Sequence, residues 1–440
     1  MMNILVYVRP ATTDFYLKLV KTAYPHANIV TVSDFKHNGD IWFGDYIYQL
    51  AYKEQYFSDE IMRDIRMRCR FLRLFQSDMA DGLVNNLAYG LYKYFSSHDI
   101  DIVMGGLIDN YTQDVLERIA VERKIPYISF VRHFFSGYCR ISARGELRKM
   151  PRVVTNEEVS LSLKQIMQES FKPDFKLNRP KSTKEMYYFY FRELLKKNLY
   201  FPLKRNIERD PHNYHYNTTL PRNWSFSSVI FKDDKKYFRT LENLPSHIDE
   251  NAVYIPLHFS PEATVDYWAD NPRFALQEET ILELATQTPA HIQLLIKEHP
   301  AMYLRRRIDF YERLKDYNNV TLIHPYESSN RLLNIVQNVL VFTGSVGVEA
   351  LLRGKRVLTV TKNYYSDLHP NIFKISQIND EAIRLKLQTY SQEQFIHDIL
   401  QGLFKADFYN DKTIDKSDIE SMSRNFKDYM NAFMQEKIVV

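Results

Sequence analysis

Three short segments carry residue types at spacings that can do chemistry. The first is Val339 to Val360, VLVFTGSVGVEALLRGKRVLTV: an apolar run, the small-residue turn Thr343-Gly344-Ser345, a helical stretch opening near Val346, and a second apolar run. Amide N–H groups at such a helix start, with the hydroxyls of Thr343 and Ser345, make an anion site, and Gly344 and Gly347 admit close backbone approach. A phosphate can sit there. The same residues also suit a plain strand-turn-helix corner with Ser345 as its cap. Glu349, in the first turn, complements the helix dipole and can accept hydrogen bonds from two ribose hydroxyls.

The second segment is Leu294 to Pro300, LLIKEHP, an apolar run that ends in Lys297, Glu298 and His299, with Pro300 stopping the strand. Lys297 and His299 can both donate to a nucleotide phosphate; a histidine before a proline also serves simply to pack a strand end. The third is Pro256 to Ala263, PLHFSPEA, where His258 and Glu262 are candidates for acid, base or nucleophile or else sit in an ordinary turn. Nearer the N-terminus, Asp109 follows GGLI after an apolar run, as a helix N-cap or a cleft carboxylate, and Arg9 and Arg132 each follow a predicted strand.

These residues need elements to hold them. Runs at Asn3 to Val8, Asn28 to Ser33, Asp101 to Gly106 and Pro126 to Val131 read as buried strands. Helical stretches at Thr12 to Tyr24, Tyr46 to Ser97 and Thr112 to Arg123 lie between them. The alternation predicts a doubly wound α/β domain over 1–150. It stops over 151–250, where charged, aromatic and proline-interrupted sequence predicts helical elaboration and a linker. Strands resume at Val253 to Leu257, His291 to Lys297, Val320 to Ile323, Val339 to Phe342 and Val357 to Val360, giving a second doubly wound domain over 251–410. A helix within 411–440 lies outside that sheet and can pack back on the first domain. In both sheets the C-terminal strand ends line the expected ligand crevice.

Composition narrows the function. The 440 residues are 45% apolar, 14% aromatic and 25% charged, which excludes disordered and fibrous classes. Lys and Arg number 58 against 54 Asp and Glu, too even for bulk nucleic-acid binding. Cys69 and Cys139 form neither a disulfide framework nor a zinc motif, so a reducing compartment is expected. No apolar run approaches a membrane span, and the N-terminus lacks signal-peptide features. Nicotinamide, P-loop and zincin motifs are absent. Arg63, Arg66, Arg70 and Arg73 share one face of a predicted helix and read as solvated. Lys181 to Arg209 mixes rings with eight Lys or Arg, a pattern that suits an anionic membrane surface as well as a helix packed by its rings.

Together, PLHFSPEA, KEHP and TGSVGVEALLRGKRVL, in this order and spacing, resemble the capsule polysaccharide biosynthesis transferases. That resemblance implies a GT-B-like fold: two Rossmann-like domains facing a cleft, acceptor on the first and nucleotide sugar on the second. It implies a cytoplasmic glycosyltransferase, possible at the inner membrane face, moving a CMP-activated ulosonic acid such as Kdo to a glycan or lipid-linked glycan. His299 and the Ser345 turn would hold the CMP phosphate and Glu349 the ribose. No metal or other cofactor is expected, because nothing in the sequence resembles the DxD carboxylates that bind a nucleotide-sugar metal. Weaker resemblances to CDP-glycerol polymer phosphotransferases and UDP-GlcNAc 2-epimerases remain as alternatives, as does a catalytically inactive scaffold.

Overall fold

The computed structural model describes residues 1–49, 54–168, 171, 183–217, 234–244, 248–260, 262–302, 306–407 and 414–435. The chain divides into two compact units: Met1–Asn156 with Phe201–Thr218 and His397–Val440, and Glu157–Tyr200 with Thr219–Ile396. Residues 201–218, inside the stretch read as elaboration and linker, thus belong to the first unit.

In the first unit the apolar run NILVY forms β1 (Asn3–Tyr7), buried along most of its length, as a central parallel strand must be. It pairs in parallel with β2 (Asn28–Ser33) and β4 (Ile102–Met104). With β3 (Ile41–Trp42) and β5 (Tyr127–Ile128) the sheet order is β3-β2-β1-β4-β5. The run expected as one strand over Pro126 to Val131 is split at Ser129. After β5 the chain leaves the parallel sheet and enters β6 (Phe130–Arg132), which pairs antiparallel with β7 (Tyr138–Ile141). A third strand, β14 (Phe404–Lys405), adds to β7 from far along the sequence.

The helical stretch expected over Tyr46 to Ser97 is three helices, Phe43–Gln49, Asp59–Arg68 and Ser77–Ser97. Because the second ends at Arg68, Arg70 and Arg73 lie beyond it and the proposed four-arginine face does not form. Helix Lys416–Met434 buries Ile419, Met422, Phe426, Tyr429 and Met430, at helical spacing, in the core that helix Thr13–Ala23 also joins. Each such side chain contributes about 1.5–3 kcal/mol by leaving water. The Ser423 hydroxyl donates to the Leu19 carbonyl at 3.1 Å, and the Tyr24 and Phe426 rings meet edge-on at 5.4 Å.

The second unit holds a six-stranded parallel sheet, β8 (Val253–Pro256), β9 (Leu294–Lys297), β10 (Val320–Ile323), β11 (Asn338–Val341), β12 (Arg356–Thr359) and β13 (Ile372–Lys374). Their spatial order is β10-β9-β8-β11-β12-β13. Each of the four central strands is a short apolar run covered on both faces, which is why the sequence reads as continuous rather than alternating hydrophobicity.

Candidate functional site

The chain winds leftward from β8 to β9 to β10 and then rightward from β11 to β12 to β13, so the strand order reverses between β8 and β11. Such a reversal opens a crevice beyond the carboxyl ends of the strands. The ends of β8, β9 and β11, with the loops and helix start that follow them, carry eight of the nine candidate residues.

His258 lies where the loops after β8 and β11 meet. Its Nε2 accepts from the Thr343 amide at a long 3.5 Å. A Cβ on Gly344 would sit 3.1 Å from the His258 ring, so glycine leaves the imidazole its place. Burial first, and then the charge of Arg306, push the His258 pKa down to about 4, and the ring is neutral at pH 7. With Nε2 accepting, the proton belongs on Nδ1. Its position makes His258 a brace for the turn.

Thr343 donates its hydroxyl to the Thr264 carbonyl at 2.9 Å, and the Thr264 hydroxyl donates to the Glu262 carboxylate at 2.6 Å. Glu262 itself opens the short helix Ala263–Asp266. The turn is held from its other side by the Tyr365 hydroxyl, which donates to the Gly344 carbonyl at 2.7 Å. That hydroxyl occupies the space a Cβ on Gly347 would need. Ser345 stands at the N-cap position of helix Val346–Leu352, but its side chain makes no capping bond, contrary to the simpler expectation for it. Among the described residues no protein acceptor takes the Gly344 or Ser345 amide.

Glu349 is 4% exposed on that helix. Burial pushes its pKa up to about 7, with the Arg353 charge offsetting only part of the effect. Among the described residues, no donor reaches its carboxyl group.

At the end of β9, Lys297 is buried and its ammonium donates to the Pro325 carbonyl at 3.0 Å, so at least one of its donors ties down the loop after β10. His299 accepts the Ala301 amide on Nδ1 at 3.1 Å, which leaves the ring proton on Nε2 as a donor, and its ring lies 5.9 Å from that of Phe259. Between them Glu298 is buried in an ion pair with Arg306, Nε to Oε2 at 2.7 Å. Tyr311 donates to the same oxygen at 2.7 Å, and the His299 amide to the other at 2.6 Å. Arg306 further reaches the His258 carbonyl at 2.6 Å and Gln277 at 2.8 Å. This buried strut joins the loops after β8 and β9. Sequence reasoning missed Arg306, Tyr311 and Tyr365; the one legible hint was an acid wedged between Lys297 and His299.

Asp109 is in the other unit. It does not cap the helix Tyr111–Glu122, since the Asn110 side chain accepts the Gln113 amide at 2.9 Å. Both carboxylate oxygens of Asp109 instead take a bidentate Arg9, at 2.9 and 2.5 Å. Burial would raise its pKa, but the Arg9 charge and hydrogen bonds prevail and hold it below the usual carboxylate range.

Residues 250–368, which span all of the second-unit candidates, match the family described as capsule polysaccharide biosynthesis protein. Among solved structures, the chain is similar to two β-Kdo transferase structures of Thermosulfurimonas dismutans KpsC. The 2,7 transferase is 11% identical, covering 98% of this chain and 99% of that one at a TM-score of 0.38. The 2,4 transferase is 14% identical, covering 78% and 88% at 0.37. The UDP-GlcNAc 2-epimerase of Neisseria meningitidis is 14% identical, covering 99% and 100% at 0.27. No curated protein matches the sequence.

Proposed function

We propose that this chain is a metal-independent glycosyltransferase of GT-B type that acts in bacterial surface polysaccharide synthesis, capsular or lipopolysaccharide. In this reading it transfers a CMP-activated ulosonic acid, Kdo or a nonulosonic sugar, to a glycan or lipid-linked glycan at the inner face of the cell membrane. The supporting observation is that the capsule-synthesis match lies over a switch-point crevice whose turn amides and Glu349 carboxyl have no protein partner among the described residues.

The chemistry follows from those groups. The Gly344 and Ser345 amides and the Ser345 hydroxyl donate to the nucleotide phosphate, and His299 Nε2 adds a fourth donor, so that negative charge building up on departing CMP is stabilised. Glu349 accepts the ribose hydroxyls. Loss of CMP leaves an oxocarbenium-like carbon, and Glu262 is the carboxylate on the adjoining loop that either attacks it or takes the proton of the acceptor hydroxyl. Lys297 and His258 hold the loops. Thermal unfolding in the presence of CMP, CDP, UDP and GDP tests the donor class: stabilisation by CMP is expected, and stabilisation by UDP alone would move the assignment to a UDP-sugar enzyme. Turnover unaffected by EDTA is expected.

A further inference from the structure

We infer that the helix Thr183–Leu195 and the π-helical turn Lys196–Tyr200 that extends it form a lipid-docking face, which seats the protein on an anionic membrane. Leu194 packs against the core of the second unit, but the face beside it is inverted in polarity. Tyr188, Phe191, Leu195 and Leu199, spaced three, four and four residues apart, are 70%, 53%, 46% and 57% exposed. The acid between them, Glu193, is buried and takes Lys196 at 3.0 Å and Arg192 at 3.5 Å. A helix that served only to cover a core would turn its leucines inward and its glutamate outward.

Charge selects the occupant. Over Thr183–Tyr200 the sequence carries Lys184, Arg192, Lys196 and Lys197 against Glu185 and Glu193, so the apolar side chains are set in a net basic field. Anionic lipid headgroups neutralise such a field while the acyl boundary takes the rings and leucines. A second copy, meeting this face with its own, would bring like charges together. Among the described residues no helix is long and apolar enough to cross a membrane, so the contact is peripheral. The inference rests on the proposed membrane-side role only for its purpose, and vesicle binding is measured without donor or acceptor. Either can therefore fail while the other stands.

The test is sedimentation of the full chain with phosphatidylcholine vesicles, with and without phosphatidylglycerol, at low and high salt. Wild type is expected to pellet with the anionic vesicles at low salt and to be partly released at high salt. Phe191→Ser with Leu195→Ser, checked for unchanged circular dichroism, lowers the bound fraction about tenfold. Lys196→Glu with Lys197→Glu abolishes the preference for anionic lipid. Wild type left in the supernatant with both vesicle types, or a serine variant that pellets like wild type, overturns the inference. So does a wild-type dimer in light scattering that the serine variant converts to monomer without any lipid binding.

Discussion

The two parallel sheets reverse strand order in equivalent places, between β1 and β4 in the first unit and between β8 and β11 in the second, yet the two crevices are filled differently. In the first, Arg9 after β1 and Asp109 after β4 close on one another across the reversal. Beside them Asp34, after β2, accepts the Tyr7 hydroxyl, Asn110 at 2.9 Å, Thr112 at 2.5 Å and His215 at 3.1 Å. Burial alone would raise the Asp34 pKa; the hydrogen bond and charge of His215 carry it the other way. In the second unit, Glu349 has burial without a compensating donor, and two turn amides meet no protein acceptor, among the described residues. Topology locates a crevice in both. The unmatched electrostatics are what single out the second crevice for the proposed donor site.

The largest effect that would sharpen this contrast is at the strut. Arg306→Met leaves Glu298 charged and buried without its partner and is expected to cost about 3–5 kcal/mol in urea unfolding. The Arg9–Asp109 pair of the first unit, whose side chains are 24% and 29% exposed, is expected to cost about 1 kcal/mol when tested by Arg9→Met. Equal losses would erase the distinction between a buried strut and a crevice closed by its own ion pair.

Next is chemistry. Glu262→Gln is expected to lower turnover by about 10²–10³-fold with CMP binding unchanged, whereas Asp109→Asn, already paired in the wild type, leaves turnover within about threefold. The reverse pattern would transfer the role to Asp109.

A smaller effect is visible in pH. The folded-state pKa of Glu349 is raised from 4.5 to about 7, so the folded protein keeps a proton that the unfolded chain releases. Wild-type stability is therefore full below pH 4.5 and declines as pH rises through about 7, by on the order of 3 kcal/mol. Glu349→Gln removes this dependence. The variant should match wild type in melting temperature at pH 4.5 and exceed it at pH 8; parallel curves would show that Glu349 is matched after all. Smallest is His299→Ala, expected to weaken CMP binding about tenfold in thermal-shift titration without changing the unliganded melting temperature.

Much of the scaffold was legible because parallel strands buried on both faces write themselves as apolar runs: β2 and β10 fall on the residues that periodicity picks out. The strands it passed over are β3 and β14, two residues each, β7, where Arg140 breaks the apolar run, and β13, only three residues long. The turn Thr343 to Ser345 was readable since small residues between strand and helix have few other uses. What holds that turn was not. Arg306, Tyr311 and Tyr365 act through contacts across 8, 13 and 21 positions of chain, and nothing local marks an arginine that will be fully buried. The capping reading of Asp109 does not hold, and its pairing was hidden for the same reason, the partner being 100 positions away.

The order in which the chain leaves the ribosome adds a last consequence of the helix Lys416–Met434. The sheet around β1 lacks one of its covering helices, and the β6–β7 hairpin its third strand, until residues beyond 404 exist. The second unit lies wholly between the pieces of the first. It can therefore finish folding while the earlier half of the protein still exposes apolar surface, which makes the first unit the one a chaperone would have to guard.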